Sequence, residues 1–397
     1  LTALYTIFGG MKSVLYTSVL QTPILLLGSL IILVLGFKEL GGWDEMMRVC
    51  GAVTVNDYGD TMTNLIRSND DANFPWLGAL IGSAIIGFWY WCTDQFIVQR
   101  VLSGKNEMEA RRGTIFGAYL KLLPVFLFLI PGMIAFALHQ KYIGAGGEGF
   151  LPMLANGTAN ADAAFPTLVA KLLPAGVKGL VVCGILAALM SSLASLFNSS
   201  AMLFTIDFYK RFKPETPEKK LVGIGQIATI VIVVLGILWI PIMRSVGDVL
   251  YTYLQDVQSV LAPGIAAAFL LGICWKRTSA QGGMWGLISG MVIGLTRLGA
   301  KVYYSNAGEV ADSTFKYLFY DMNWLFFCGW MFLFCIIVVI VVSLATEAPT
   351  AEKIQGLVFG TATKEQKAAT RASWNHWDII HTVIILAITA AFYWYFW

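Results

Sequence analysis

The chain has 397 residues, of which 57% are hydrophobic and 13% charged, and its net charge is +3. Because a soluble domain carries about 25% charged residues, this composition excludes an ordinary soluble protein and predicts a polytopic membrane protein. The basic residues lie in short loops, so the charge gives no indication of nucleic-acid binding. Six cysteines without a CxxC pair and three scattered histidines predict no disulfide framework, metal site or catalytic triad.

The chain opens on LTALYTIFGG, a run typical of the last turns of a helix that is already under way. We therefore expect an N-terminally truncated fragment of a longer protein, without its first helices. A membrane-spanning helix needs about 20 apolar residues. Nine such segments follow the opening half-helix, at approximately 14–37, 76–99, 113–140, 177–206, 219–243, 249–275, 281–301, 322–345 and 378–397.

The polar connections between these segments fall into two sets that differ in charge. One set carries most of the lysine and arginine residues, and the positive-inside rule places it on the cytoplasmic side. Its members are 9–13, 100–112, 207–220, 276–280 and 346–377. The longer connections 38–75 and 141–176 are acid-rich and are predicted on the opposite side. Lys121 belongs to neither set.

Two polar residues, Asp94 and Gln95, lie inside the otherwise apolar segment from Trp76 to Val98. An ionisable group at membrane depth is costly, so its presence indicates a functional site. The alternative is an interfacial aromatic belt in which Asp94 pairs with Arg100 near the cytoplasmic end. Because Asp94 and Gln95 lie deeper than a belt requires, we predict that they line a solute pathway.

Aromatic residues crowd the same segment just before Asp94. Tyr90 and Trp91 each offer a flat apolar face with one polar tip, which is the kind of surface that stacks on the C–H face of a sugar ring. Gly87 beside these aromatics predicts an interruption of backbone hydrogen bonding. Such an interruption is tolerated in a membrane only beside protein or a water-filled cavity.

A single lysine, Lys121, stands about two turns into the segment 113–140. A lysine this close to a helix end can extend back to the cytoplasmic interface. Alternatively, it presents a cation to a cavity, where it donates hydrogen bonds to substrate hydroxyls or pairs with Asp94. Position alone does not separate these two interpretations.

A serine-rich run follows at Ala187 to Ala201. Ala188, Ser191 and Ser192 are spaced i, i+3 and i+4, so they share one helix face. One backbone carbonyl and two hydroxyls form a cluster of neutral oxygens that suits a sodium ion. The competing interpretation is close helix packing, since small residues are enriched at such contacts and serines bond back to their own helix.

The segment from Tyr251 to Gly264 brings further polar side chains into an apolar helix. Gln255, Asp256 and Gln258 either face the same cavity or form the polar outer end of that helix.

Several long motifs, in this order along the chain, resemble the sodium/solute symporter family and specifically its sodium/glucose cotransporter branch. The motifs are ALYTIFGGMKSVLYTSVLQT, YWCTDQFIVQRVLSGKN, GAYLKLLPVFLFLIPGM, GILAALMSSLASLFNSSAMLFTIDFYK and IAAAFLLGICWKRTSAQGG. The resemblance covers essentially the whole chain. It implies an all-α polytopic membrane protein with a leucine-transporter-type core of ten helices in two inverted repeats, plus additional peripheral helices at the C-terminus. Such repeats place substrate and ion near the bilayer midplane at broken helices.

The resemblance also implies a division of the chain. Residues 1–275 correspond to the end of the fourth through the tenth core helices, and 276–345 to two peripheral membrane helices. Residues 346–377 form a cytoplasmic linker, and 378–397 form the C-terminal membrane helix. The first core helices of the family have no counterpart in the sequence.

For the sugar site, the resemblance implies roles for four residues. Tyr90 is similar to the aromatic that closes the site from the cytoplasmic side, and Trp91 to its neighbour in the sugar-binding helix. Lys121 and Gln255 fall on positions that contact sugar hydroxyls.

For the ion, the resemblance places Ala188, Ser191 and Ser192 in the share of the sodium site that the eighth core helix supplies. The remaining ligands belong to the first core helix. Many sugar-branch members carry an aspartate where this chain has Ser18, and in some of them it contributes to a second cation site. We therefore expect one sodium ion per sugar.

These features predict sodium-coupled secondary active uptake of a glucose- or galactose-like monosaccharide by alternating access, in the plasma (inner) membrane. The expected partners are the sugar, sodium and the lipid bilayer. No nucleotide is expected, because the chain has no P-loop, and no enzyme activity, because it lacks HExxH and GxSxG motifs and a carboxylate dyad. The alternatives are a symporter for myo-inositol or another solute of the same family, and a sugar sensor that does not transport.

Overall fold

A computed structural model describes residues 2–154, 157–244, 250–306 and 311–396, and within these ranges the secondary structure is helical. The first helices are α1 (Thr2–Leu40), α2 (Trp43–Gly51), α3 (Trp76–Phe88), α4 (Gln95–Leu102), α5 (Glu107–Pro124), α6 (Ile130–Gly144), α7 (Ala164–Leu172), α8 (Ala175–Met202) and α9 (Lys210–Phe212). They are followed by α10 (Glu218–Arg244), α11 (Leu250–Cys274), α12 (Ala280–Asn306), α13 (Thr314–Lys316), α14 (Trp324–Ala345), α15 (Ala351–Ile354), α16 (Lys364–Ala372) and α17 (His376–Tyr395). Segments of π-helix lie at Trp89–Thr93, Val125–Leu129, Leu203–Tyr209 and Tyr317–Asp321, and a 3-10 turn lies at Ala161–Ala163.

Eight helical stretches among the described residues are long and apolar enough to cross a membrane. They are Thr22–Leu40, Trp76–Thr93, Glu107–Gly144, Ala175–Phe212, Glu218–Pro241, Leu254–Cys274, Trp324–Ala345 and His376–Tyr395. The sequence predicts a ninth at 281–301, and this stretch is helical as part of α12 but is too rich in glycine and polar residues to qualify. The predicted connection at 9–13 is also different, because α1 runs through it without a break.

The chain divides into two compact units. Unit 1 comprises residues 1–55, 61–63 and 119–247, and unit 2 comprises 56–60, 64–118 and 248–397. The division falls within α5, whose first part belongs to unit 2 and whose last turns belong to unit 1. This spatial division is distinct from the predicted assignment of core and peripheral helices, which stays a prediction.

Unit 1 is built around α1, α6 and α8. Helix α1 packs along α8 and α6, while α2 and α7 cover α6 and α10 packs on α8. Most of the fully buried side chains at the centre are aliphatic, and these come from α1, α6, α7 and α8. They include Ile32, Ile130, Ile134, Leu138, Leu168 and Val181.

Unit 2 is built around α11, α12 and α14, with α3 packed on α11 and α14. Its buried residues include several small ones, such as Ala262, Ala266 and Cys328. Small residues let helix backbones approach closely, which is a common way to join helices in a membrane. The clearest example is Gly294 on α12, where an added Cβ would lie 2.7 Å from the backbone oxygen of Val260 on α11.

Polar contacts in unit 2 join connections that the charge pattern places on the same side. Two pairs lie on the predicted cytoplasmic side and two on the opposite side. They are Arg277 with Thr346 (Nη2 to O, 2.7 Å), Arg111 with Ser373 (Nη2 to Oγ, 3.2 Å), Leu65 with Phe396 (N to O, 2.8 Å) and Asn323 with Ala72 (Nδ2 to O, 2.7 Å). Helix α17 therefore begins beside one set of connections and ends beside the other, as a spanning helix must.

Candidate functional site

The membrane stretch that starts at Trp76 is broken at Asp94. Helix α3 passes into the π-helical segment Trp89–Thr93, and Asp94 then takes an extended conformation with φ −72° and ψ 120° before α4 begins. The Asp94 carboxylate accepts a hydrogen bond from the Phe96 N–H at 3.0 Å. Aspartate is a preferred N-cap because its oxygen satisfies an amide that the helix leaves without a partner.

The break replaces the one predicted at Gly87, which lies inside α3. Gly87 has no neighbour within 4 Å of an added Cβ, so no close approach requires a glycine there. The physical difference is that Asp94 carries its own acceptor for the freed amide, whereas glycine carries none. The aspartate-first pattern DQFIVQ was the signal in the sequence that indicated the correct position.

The turn before the break is held by the carbonyl of Trp89. This oxygen accepts hydrogen bonds from the Asp94 N–H at 3.1 Å and from the Thr93 hydroxyl at 2.7 Å. On the other side of the break, the Arg100 guanidinium lies 5.0 Å from the centre of the Phe96 ring. Asp94 therefore acts as a helix cap in this structure, a role that neither the pathway interpretation nor the aromatic-belt interpretation anticipated.

The π-helical segment presents the aromatic residues that the sequence singled out. The rings of Tyr90 and Trp91 meet edge to face, with centroids 5.2 Å apart and an interplanar angle of 89°. Tyr90 is half-buried and Trp91 is 49% exposed in the described structure. Short π-helical turns inside α-helices are frequent at functional sites, and this one places two perpendicular aromatic rings at consecutive positions.

Gln255 lies in unit 2 with Tyr90 and Trp91, whereas Lys121 lies in unit 1. The Gln255 amide nitrogen donates to the Tyr251 hydroxyl one turn earlier on α11, at 2.9 Å. Lys121 is exposed near the end of α5. The assembly of all four residues around one sugar stays a prediction.

The three residues predicted to bind sodium lie on the continuous helix α8 of unit 1. Ser191 is buried, Ala188 is half-buried and Ser192 is exposed. The same helix face continues with Ser195, which is completely buried and donates its hydroxyl to the Ser191 carbonyl at 3.1 Å. Ser195 was missed from the sequence, although its spacing of four residues from Ser191 was available as a signal.

Asp256 and Gln255, which the sequence left open between a cavity face and a polar helix end, have different partners in the structure. Asp256 points to α12, where its Oδ2 lies 2.5 Å from Lys301 Nζ and its Oδ1 lies 3.6 Å from Arg297 Nη2. Gln255 instead bonds within its own helix. The Asp256 carboxylate thus forms ion pairs with two basic residues inside unit 2.

Among the residues that the structure describes, no three His, Cys, Asp or Glu side chains are grouped so that they could hold a metal ion. The oxygens available on α8 are neutral ones, from a carbonyl and hydroxyls. The predicted role of Ser18 cannot be placed on this geometry, because its side chain lies outside the described residues.

Residues 1–290 match the model of the sodium:solute symporter family. This chain is a member of that family. The chain is 35% identical to a sodium/mannose cotransporter of Bos taurus over 417 residues, a match that covers 100% of the chain and 70% of the relative. It is 38% identical to sodium/glucose cotransporter 1 of Ovis aries and 36% identical to sodium/myo-inositol cotransporter 2 of Homo sapiens. These two matches cover 87% and 91% of the chain and 55% of each relative.

The fold of the chain is similar to that of a solved structure, the substrate-bound outward-open state of a Na⁺-coupled sialic acid symporter. The TM-score is 0.63 at 20% identity, and the match covers 88% of this chain and 66% of the other. The similarity confirms the predicted fold class, an all-α polytopic membrane protein with a leucine-transporter-type inverted-repeat core and peripheral C-terminal helices. The prediction of a multi-pass membrane protein of this family is confirmed by the family match and by the eight long apolar helical stretches among the described residues.

Proposed function

We propose that this chain forms much of a transporter that takes up a glucose- or galactose-like monosaccharide together with one sodium ion. The relatives named for mannose, glucose and myo-inositol all act on small rings that carry several hydroxyl groups. The observation that carries the proposal is the aromatic pair of half-buried Tyr90 and exposed Trp91, in a π-helical turn next to the helix break at Asp94. Broken helices are where this architecture binds its solutes.

The sugar contacts divide into apolar and polar ones. Tyr90 and Trp91 stack on the C–H face of the ring, and Tyr90 also closes the site from the cytoplasmic side. Lys121 and Gln255 donate hydrogen bonds to the hydroxyls. A site built to hydrogen-bond hydroxyls rejects an analogue that lacks them, because its own polar groups would then be left unpaired. Asp94 and Gln95 lie at the break and border the pathway beyond Tyr90.

The sodium site uses the carbonyl of Ala188 and the hydroxyls of Ser191 and Ser192, together with oxygens from core helices that precede this chain in the family. Ser192 supports this role because its side chain is exposed on unit 1. A single positive charge needs no carboxylate among its ligands.

Coupling between the two solutes follows from thermodynamic linkage. If sodium tightens sugar binding by some factor, sugar must tighten sodium binding by the same factor. Alternating exposure of the site to the two sides then lets the sodium gradient drive the sugar, helped by the membrane potential at about 2.3 kcal/mol per charge per 100 mV. No covalent step and no nucleotide is required. The proposed location is the plasma (inner) membrane.

The test is uptake of labelled glucose and galactose by the full-length protein in proteoliposomes, with and without an inward sodium gradient. We expect accumulation against the sugar gradient only when sodium is supplied, with a sodium Hill coefficient of about one. Sodium-dependent accumulation of myo-inositol and of neither sugar would refute the monosaccharide assignment and favour the inositol alternative. Binding without accumulation of any of the three would indicate a sensor.

A further inference from the structure

A cluster of three charged side chains is enclosed between α11, α12 and the start of α14 in unit 2. Asp256 on α11 faces Lys301 and Arg297, which lie one turn apart on α12. The side chain of Arg297 is completely buried, and those of Asp256 and Lys301 are 13% and 31% exposed. The transport mechanism proposed above uses none of these residues.

Arg297 extends the cluster to the residues before α14. Its Nη2 donates to the Met322 carbonyl at 2.8 Å, and its guanidinium carbon lies 4.0 Å from the centre of the Phe327 ring. One side chain therefore touches three separate parts of unit 2. A buried ion pair gives little net stability over an apolar packing of the same volume, because both charges must be desolvated. A role in fixing geometry is the better-attested reason for such a cluster.

Elsewhere along their length, α11 and α12 meet through glycines. Gly264 faces Gly290, and Gly294 faces the backbone of Val260. Such contacts set how closely two helices approach. The charged cluster lies about 12 Å along α11 from Gly264, at a rise of 1.5 Å for each of eight residues. The cluster of Asp256, Arg297 and Lys301 supplies hydrogen bonds and ion pairs of defined direction between α11 and α12 at the end away from Gly264.

The residue before Asp256 is Gln255, and consecutive helical residues project about 100° apart around the axis. Because Asp256 must face α12, the rotation of this turn of α11 is fixed, and the direction in which Gln255 projects is fixed with it. A rotation of about 20° would displace a side chain at a radius of 5–6 Å by about 2 Å, which is beyond the tolerance of a binding contact.

We propose that Asp256 is a positioning residue, which fixes the rotation of the α11 turn that carries Gln255 through its ion pairs with Lys301 and Arg297. The inference rests on the proposed role of Gln255 in sugar binding. The proposal adds that Asp256 influences substrate affinity without touching the substrate, and that it does so through its ion pair with Lys301.

The first experiment measures sodium-coupled uptake in Asp256→Asn, Lys301→Met and Lys301→Arg variants of the full-length protein. We expect the KM for sugar to rise about tenfold or more in the first two variants, with the maximal rate per folded molecule nearly unchanged, because Gln255 is displaced. Lys301→Arg keeps the charge facing Asp256 and should restore KM to within about threefold of the unmodified protein. A merely structural role would lower the folded amount and leave KM unchanged, and that result would overturn the proposal.

The matched control is Asp312→Asn. Asp312 forms an ion pair with Lys316 at 2.8 Å, but its side chain is 95% exposed and the pair lies outside the cluster. An exposed pair contributes little, so KM should stay within about twofold. An increase in KM as large as that of Asp256→Asn would show that any lost ion pair in unit 2 has this effect, which contradicts the positioning role.

A second readout does not depend on which solute is transported. In a Gln255→Cys protein whose exposed cysteines Cys92, Cys183 and Cys274 are serine, the rate of thiol labelling at position 255 reports the rotation of that turn. Adding Asp256→Asn should change this rate several-fold, while adding Asp312→Asn should not. An unchanged rate overturns the positioning role. A changed labelling rate supports the positioning role even if the unmodified protein, with Gln255 in place, accumulates no sugar; that combination refutes only the sugar assignment.

Discussion

Alanine at Gly294 should destabilise unit 2 through steric overlap. The new Cβ would lie 2.6 Å from Cγ1 and 2.7 Å from the backbone oxygen of Val260, a residue with no exposed surface. Carbon atoms in contact prefer about 3.5–4.0 Å, so α11 and α12 must separate by roughly 1 Å. Backbone atoms cannot avoid the methyl group by a change of rotamer. Overpacking of this kind costs about 1–3 kcal/mol.

Alanine also favours a helix over glycine, by about 1 kcal/mol, and this gain must be removed from the comparison. Gly299→Ala provides the control, because it lies on the same helix and an added Cβ there meets nothing within 4 Å. The propensity gain cancels between the two variants. The difference in their unfolding free energies is therefore the packing cost alone, about 1–3 kcal/mol in favour of Gly299→Ala.

The assay is thermal unfolding of both variants and of the unmodified protein in detergent, followed by the loss of the monodisperse species in size-exclusion chromatography. Gly299→Ala should melt at or slightly above the unmodified protein. Gly294→Ala should melt several degrees below Gly299→Ala, at about 2–4 °C for each kcal/mol. Equal melting temperatures would show that α11 and α12 are not in close contact at Val260, and the packing described for unit 2 would be wrong.

Three further predictions concern the sites and an outer loop. Ser192→Ala should raise the sodium concentration for half-maximal uptake about tenfold with the fold intact, because one ligand oxygen is lost. Ser200→Ala on the same helix is the control and should leave that concentration unchanged. Unchanged sodium dependence in Ser192→Ala would remove Ser192 from the site. Tyr90→Ala should abolish coupled uptake, whereas Tyr90→Phe should keep a substantial part of it because the ring remains; normal uptake by the alanine variant would return Tyr90 to an interfacial role. Burial alone would raise the pKa of Asp71, but hydrogen bonds from the amides of Phe74 and Asn73, helped by Asn56 and Arg67, leave this pKa below its ordinary value. The stabilisation is therefore complete above the unfolded pKa of about 3.9 and is lost as the pH falls below it. Asp71→Asn should accelerate hydrogen exchange of those two amides about tenfold at neutral pH, and Asp70→Asn should not; equal protection in both variants would contradict this account.

The sequence predicts the membrane helices well because the bilayer requires long apolar runs with internally satisfied backbones. It fails where the outcome depends on a particular acceptor or on a partner far along the chain. The helix break lies at Asp94 and not at Gly87, because the carboxylate can bond the amide that a break exposes. The glycine pair at positions 9 and 10 suggested a connection, yet the backbone stays helical there.

Asp256 shows the second limit. From the sequence, Asp256 could be grouped only with Gln255 and Gln258, either facing a cavity or at the polar outer end of the helix. Its partner Lys301 lies 45 positions later, and only the packing of α12 on α11 brings them together. Ser195, in contrast, could have been predicted from the sequence, because it lies four residues after Ser191 and therefore on the same helix face.

The π-helical segment Trp89–Thr93 holds about one residue more than an α-helical turn would need. Its wider turn absorbs that residue, so the residues after it keep nearly the direction that an uninterrupted α-helix would give them. Deleting one residue there would let the turn close as an α-helix and would change which aromatic side chains it presents, while Asp94 would still follow at the end of the helix. A single deletion in this segment should thus be tolerated better than the same deletion within α11, where the later side chains would rotate by about 100°.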